Sequence, residues 1–172
     1  LEVEGASEKL TFSNVLMGDV WFASGQSNME HPMAGWSWIP RSEVKDYEKE
    51  IADIDYSNIR LFNVPKMPMP VAAADFEVSA WEVPSVESVA RFSSTAWFFA
   101  KELNRELDVP IGIIHSSWGG TPIRSWMSPE SMVIFKDSID IPPAATAFDK
   151  DEWTGKVTES MTNNLARRMA IS

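Results

Sequence analysis

Val20-Trp21-Phe22-Ala23-Ser24, running straight into Gly25-Gln26-Ser27-Asn28-Met29, decides how this chain reads. An apolar β-type run that breaks at a glycine presents whatever follows at the C-terminal end of a strand. In open α/β sheets that end is where ligands and reacting groups collect. Ser27, held at the break between an amide and a second amide, has the setting of an enzymatic nucleophile. The same arrangement recurs downstream. Ile111 to His115 is a short, almost wholly apolar strand of the kind that parallel sheets bury on both faces. It leads into Ser116-Ser117-Trp118-Gly119-Gly120-Thr121-Pro122, where threonine followed by proline is a helix-start signal.

Between and around these two motifs the chain alternates strands and helices. Leu1 to Val15 shows period-two patterning around Gly5-Ala6-Ser7 and reads as two short antiparallel strands. Asp19 to Ser24 is a strand, Gly25 to Pro40 an irregular loop, and Ser42 the expected cap of a helix carrying Val44, Tyr47 and Ile51. Asn58 to Val64 is a second strand, ended by a proline-rich run through Pro70 that cannot sit in a central ladder. Ser93 or Ser94 opens the strongest helix, with Ala96, Phe99, Ala100, Leu103 and Leu107 as its apolar stripe and Pro110 as its stop. Val157, Met161, Leu165 and Met169 predict a last helix ending in Arg167-Arg168.

Composition narrows the function. The chain has 172 residues, enough for one domain with a real core. Its net charge of −10 argues against nucleic acid, which wants a basic patch, and against an anionic membrane surface. There is no cysteine, which excludes disulfides, thiol catalysis and cysteine-held metals. No stretch approaches the roughly 20 apolar residues of a membrane span. No metal-binding spacing of His, Asp or Glu is present, and no cofactor is implied. The N-terminal Leu1-Glu2-Val3-Glu4-Gly5 has neither a start methionine nor a signal-peptide pattern, and reads as a cut edge.

Ester hydrolysis needs a nucleophile, a base, and donors aimed at the developing oxyanion. Ser27 can be the nucleophile. Its own N–H, with that of Gly119 or Gly120, can form the oxyanion hole. The pattern departs from the glycine-x-serine-x-glycine elbow because Met29 holds the fifth position. Two histidines exist, His31 and His115. Each reads first as a hydrogen-bonded structural residue and second as an in-chain base. Trp36 and Trp38 can stack on a sugar ring or simply pack their loop onto the core. Glu43, Asp46, Glu48 and Glu50 read as a solvated helix face.

These motifs resemble the sialate O-acetylesterase-like branch of the SGNH hydrolases. The matching residues are Gly18-Asp19-Val20-Trp21 into Gly25-Gln26-Ser27-Asn28-Met29, then Asn58-Ile59-Arg60-Leu61-Phe62. Further on they are Phe92-Ser93, and Val109-Pro110-Ile111-Gly112 through Trp118-Gly119-Gly120-Thr121-Pro122-Ile123. The resemblance covers residues 15 to 130. It implies an α/β fold, a three-layer α/β/α sandwich with a mainly parallel sheet, incomplete in this chain. Residues 1–15 would end a preceding β-sandwich module or linker strand, and 16–172 would form the N-terminal portion of the esterase domain.

The resemblance also implies the chemistry: removal of O-acetyl groups from a carbohydrate such as sialic acid, xylan or a related glycan through an acyl-enzyme. Ser27 is then the nucleophile, with Ser27, Gly119 and Gly120 in the oxyanion hole. Gln26, Asn28, Trp36, Trp38 and Trp118 are the expected substrate contacts. The family's Asp-x-x-His and Trp-x-Gln-Gly-Glu motifs do not occur here, so the remaining C-terminal part of the same protein is the expected source of the His/Asp pair. Arg124 stands where relatives often carry an acidic residue. A secreted or periplasmic location follows from the resemblance. The alternative is a non-catalytic carbohydrate-binding or scaffolding relative that lacks the base.

Overall fold

A computed structural model describes residues 1–52, 54–66 and 80–138. They fall into two units, one of residues 1–65 and 80–121, the other of residue 66 and residues 122–138. The proline-rich run from Met67 and the helix expected around Val157 to Met169 lie outside the described residues, as does the side chain of Arg124.

The first unit is α/β, as the alternation of strands and helices predicts. It opens with β1 (Glu2–Glu4) and β2 (Lys9–Thr11), an exposed antiparallel pair in the register Val3 to Leu10. A parallel sheet follows, built from β3 (Asp19–Gly25), β4 (Ile59–Asn63) and β5 (Ile111–Ser117) in the order β3-β5-β4. Among the described residues the last strand in sequence is therefore the central one of this sheet. β5 pairs with β3 from Asp19↔Ile111 to Gly25↔Ser117 and with β4 from Ile59↔Ile111 to Asn63↔His115.

One face of the sheet carries the core. Ile59, Leu61, Ile111, Ile113 and Ala23 pack there against helix residues, among them Val89, Ala96, Trp97 and Ala100. On the other face Trp81 lies over Phe62, with ring centroids 5.3 Å apart. Val20 and Phe22, on the marginal strand, stay 61% and 65% exposed.

Four helices belong to this unit: α1 (Ser27–Glu30), α2 (Tyr47–Ala52), α3 (Val86–Arg91) and α4 (Ser94–Leu107). The start of α4 follows the sequence reading. Ser93 is its N-cap, its hydroxyl accepting from the Ala96 N–H at 3.1 Å and donating to Met29 Sδ at 3.7 Å. The stripe is rotated from the expected one. Trp97 is fully buried with its ring edge-on to Tyr56, whereas Phe99 and Leu107 are 41% and 49% exposed. Phe99 instead meets Trp21 of the marginal strand, centroids 5.2 Å apart.

Three other expectations are corrected. The stretch from Gly25 to Pro40 contains a helical turn, α1, and is fastened to the α3–α4 junction through Met33 N–H to Phe92 C=O (3.1 Å) and Ser94 N–H to His31 C=O (2.8 Å). Ser42 does not cap α2, because its hydroxyl accepts the Trp36 N–H at 2.8 Å, and the helix begins only at Tyr47. Thr121-Pro122 opens no α-helix. The Thr121 hydroxyl turns back to the Trp118 carbonyl at 2.7 Å, and only a 3-10 turn follows at Ile123–Trp126.

That turn lies in the second unit. Here α5 (Pro129–Met132) starts with Ser128 as its cap, accepting from Ser131 N–H at 3.2 Å, and a second 3-10 turn follows at Val133–Phe135. Among the described residues no helix is long and apolar enough to cross a membrane.

Two predictions come from α4. Ser93→Ala removes a buried cap and should cost about 1–2 kcal/mol of stability, read as a lower urea midpoint. An unchanged midpoint would remove Ser93 as the helix anchor. The second concerns Lys101, which bonds to Glu50 and joins α4 to α2. Burial pulls the Lys101 ammonium down, but the hydrogen bond and charge of Glu50, with Tyr56, outweigh it and leave the group above the ordinary lysine value. Stability from such a raised group is present below the unfolded pKa, about 10.4, and is lost as pH rises through the folded one. Glu50→Gln should therefore be less stable than the parent at pH 9, with the gap closing as pH climbs past the folded value. Denaturation curves at both ends of that window measure it.

Candidate active site

The pairing of β3 with β5 brings the two glycine-containing motifs to the same end of the sheet. Beyond the last strand pair the ladder gains one more bond, Trp118 N–H to Gly25 C=O at 3.1 Å. Ser27 is the first residue of α1 and is exposed, and no hydrogen bond engages its hydroxyl among the described residues. A Cβ built on Gly119 would stand 3.4 Å from both Cα and Cβ of Ser27. A side chain at 119 would touch the serine and would have to displace the Glu30 carboxylate, 2.8 Å from the built Cβ.

The 118–121 turn is gripped from the serine motif. Besides the Gly25 carbonyl, Gln26 Nε2 donates to the Thr121 carbonyl, and Glu30 Oε2 accepts the Gly119 N–H. The two glycines therefore differ. Gly119 is half-buried with its N–H engaged. Gly120 is exposed at φ +80°, and nothing lies within 4 Å of a Cβ built on it. Its N–H has no hydrogen bond among the described residues.

Sequence reasoning missed Glu30 because it treated residues 25–40 as irregular. A signal existed. A carboxylate three residues after Ser27 falls on the same side of a helical turn.

The other expected contacts have partners of their own. The Asn28 carbonyl accepts from Thr95 Oγ1 at 3.1 Å, which ties α1 to α4, and the Asn28 side chain is exposed. Trp118 is half-buried. Trp36 and Trp38 are stacked, centroids 6.0 Å apart and 28° between planes, and Trp38 is 72% exposed. His31 stands edge-on to Trp36 at 4.8 Å.

His115 is buried under the sheet's helical face. Its Nδ1 is 2.9 Å from Asn63 Oδ1, its Nε2 is 2.6 Å from Ser117 Oγ, and Phe92 lies against its ring. The strand period explains the cluster. Residues 115 and 117 share a face, and Asn63 is the register partner of His115. Both ring nitrogens are thereby occupied, so the geometry gives this histidine a structural part. Neither histidine forms a hydrogen bond to Ser27. Among the described residues no three His, Asp or Glu side chains gather as a metal site. A cavity of about 650 Å³ lies at the opposite end of the strands, between Phe12, Arg60, Trp81 and Pro110, away from the serine.

A parallel sheet with an exposed serine and a glycine turn at its C-terminal end is an α/β arrangement of the kind in which ligands and reacting groups collect. The comparisons narrow it. The model of the family described as carbohydrate esterase, sialic acid-specific acetylesterase matches residues 17–147, and this chain belongs to that family. It is similar to the sialate O-acetylesterase of Rattus norvegicus, 32% identical over 134 residues, covering 73% of this chain and 23% of that protein. It is likewise similar to that of Homo sapiens, 31% identical over 140 residues, covering 73% and 25%. Among solved structures it resembles a carbohydrate acetylesterase from Xanthomonas citri, with 35% identity and a TM-score of 0.67, over 76% of this chain and 28% of that one. The chain thus spans about a quarter of the length of these relatives.

One prediction tests the structural part of His115. His115→Ala deletes two buried hydrogen bonds and should lower stability by about 2–4 kcal/mol in chemical denaturation. A variant as stable as the parent would show that the Asn63–His115–Ser117 cluster does not hold the sheet.

Proposed function

We propose that this chain carries the nucleophile side of a carbohydrate O-acetylesterase. Ser27 Oγ attacks the acetyl carbonyl of an O-acetylated glycan such as an acetylated sialic acid or xylan. The Ser27 N–H and the glycine turn donate to the oxyanion as it forms. The sugar hydroxyl leaves with a proton, and water then attacks the acyl-serine and releases acetate. The observation that carries this reading is that the exposed Ser27 and the glycine turn leave the same end of the sheet, close enough that a Cβ built on Gly119 would touch Ser27. Donors fixed before the reaction stabilise the developing charge without reorganising, and each is commonly worth about 3 kcal/mol of barrier.

The base in this proposal comes from polypeptide outside these 172 residues, as a His/Asp pair. Two observations support it. No histidine of the chain forms a hydrogen bond to Ser27, and the marginal strand leaves Val20 and Phe22 open as a parallel strand buried on both faces would not. The stacked Trp36 and exposed Trp38 supply a flat apolar surface suited to the face of a sugar ring. Gln26 and Asn28 flank the serine and Trp118 leads into the turn, so all three join the substrate side of the proposal.

The test is Ser27→Ala in the intact protein, assayed on an aryl acetate and an acetylated glycan. The expected result is a loss of turnover of about a thousandfold or more with an unchanged melting temperature, because the exposed hydroxyl makes no hydrogen bond among the described residues. Turnover equal to the parent would take Ser27 out of the reaction.

A further inference from the structure

We infer that Glu30 is a positioning residue that clamps the 118–121 turn against Ser27 and divides the work of the two glycines. Gly119 N–H is committed to Glu30, and Gly120 N–H is the donor left for the substrate's oxyanion. The inference rests on the esterase reading and deepens it, since that reading by itself allows either glycine.

The hexapeptide Gly25–Glu30 holds a tetrapeptide some ninety residues away at three points. The Gly25 carbonyl takes the Trp118 N–H, Gln26 Nε2 reaches the Thr121 carbonyl, and Glu30 Oε2 takes the Gly119 N–H. The first two bonds fix the ends of the turn and the third fixes its middle. Glu30 is half-buried, and its carboxylate makes a charge-assisted bond, stronger than a neutral one. Gly119 is pressed between that carboxylate and the serine: a Cβ there would lie 2.8 Å from Glu30 Oε2 and 3.4 Å from Ser27 Cβ.

The consequence falls on the next residue. With Gly119 held, Gly120 at φ +80° is exposed and its N–H is unengaged among the described residues. An unengaged, fixed N–H is what an oxyanion donor requires, whereas an N–H already bonded to a carboxylate would first have to give it up. The clamp acts through an accepting oxygen. An amide oxygen at position 30 should therefore serve, and a methyl group should not.

The experiment compares Glu30→Ala, Glu30→Gln and the parent in two measurements. Amide hydrogen exchange resolved at Gly119 should be slow in the parent and in E30Q and faster by about tenfold or more in E30A, with Gly120 fast in all three. In the intact protein acting on 4-nitrophenyl acetate, E30A should lose about ten- to a hundredfold in kcat with little change in KM, the effect of misplacing a donor by about 1 Å. E30Q should recover most of that loss. Three results would each overturn the clamp: Gly119 exchange that ignores residue 30, E30A turning over like the parent, or E30Q as impaired as E30A. The last would point to the carboxylate's charge instead. Ser27→Ala run alongside separates the two levels. If that variant keeps full activity the esterase reading fails, while the Gly119 exchange still decides whether Glu30 holds the turn.

Discussion

The parallel ladder between β3 and β5 is the constraint on which the rest depends. Seven residue pairs, from Asp19↔Ile111 to Gly25↔Ser117, align two segments that lie more than ninety positions apart in the chain. A parallel pairing puts both C-terminal ends on one side, so the segments leaving those ends must emerge together. Slipping β5 by one residue against β3 would turn Ile111 and Ile113 out of the core and shift Gly119 relative to Ser27 in the same step. Burial of those apolar side chains thus enforces the position of the turn relative to the serine. Core and site are specified by one set of residues.

Much of this was legible in the sequence, and the misses have physical causes. The three strands of the sheet could be read because each is an apolar run closed by glycine, proline or asparagine. Helix α4 could be read because a serine cap, an apolar stripe and a proline stop agree. What the stripe could not show was its rotation. Trp97 and Phe99 are both large and apolar, and only the neighbours Tyr56 and Trp21 decide which is buried and which lies at the sheet margin. The strand order was also illegible, since nothing local says that the last strand inserts between the first two. Short elements escaped for a related reason. A helix of one turn, such as α1, has too few residues for a period to emerge. Ser42 and Thr121 carry the residue types of helix caps, but their hydroxyls serve nearby turns.

The sequence brought out Ser27 and the 118–121 turn, which the fold places at one end of the sheet, and hid the polar connections between them. His115 illustrates why residue type alone misleads. A histidine at a strand end near a serine invites a catalytic reading, yet its two nitrogens close onto Asn63 and Ser117 under the sheet. Buried polar groups must be bonded, and a histidine surrounded by partners on neighbouring strands satisfies that need without reaching the serine. Glu30 is the reverse case. It has the composition of a solvated acidic residue and the position of a clamp.

These features separate two parts of ester hydrolysis that are often discussed as one. In the proposed reaction oxyanion stabilisation is a backbone property: the N–H groups of Ser27 and of the glycine turn belong to peptide units brought to one sheet end by strand pairing. Proton transfer is a side-chain property, and it tolerates a donor brought from any element that reaches within hydrogen-bond distance of the hydroxyl. The same nucleophile–base geometry accordingly recurs on unrelated folds with its members in different chain order. On the proposed reading, a segment that holds the serine and its backbone donors in register has the less portable half of the apparatus, because no appended residue could supply it if the ladder were lost. On that proposal it is fitting that several contacts hold residues 118–121 while the serine hydroxyl has no hydrogen bond among the described residues. The donors have to be held still, and the nucleophile has to stay open to whatever base and ester approach it.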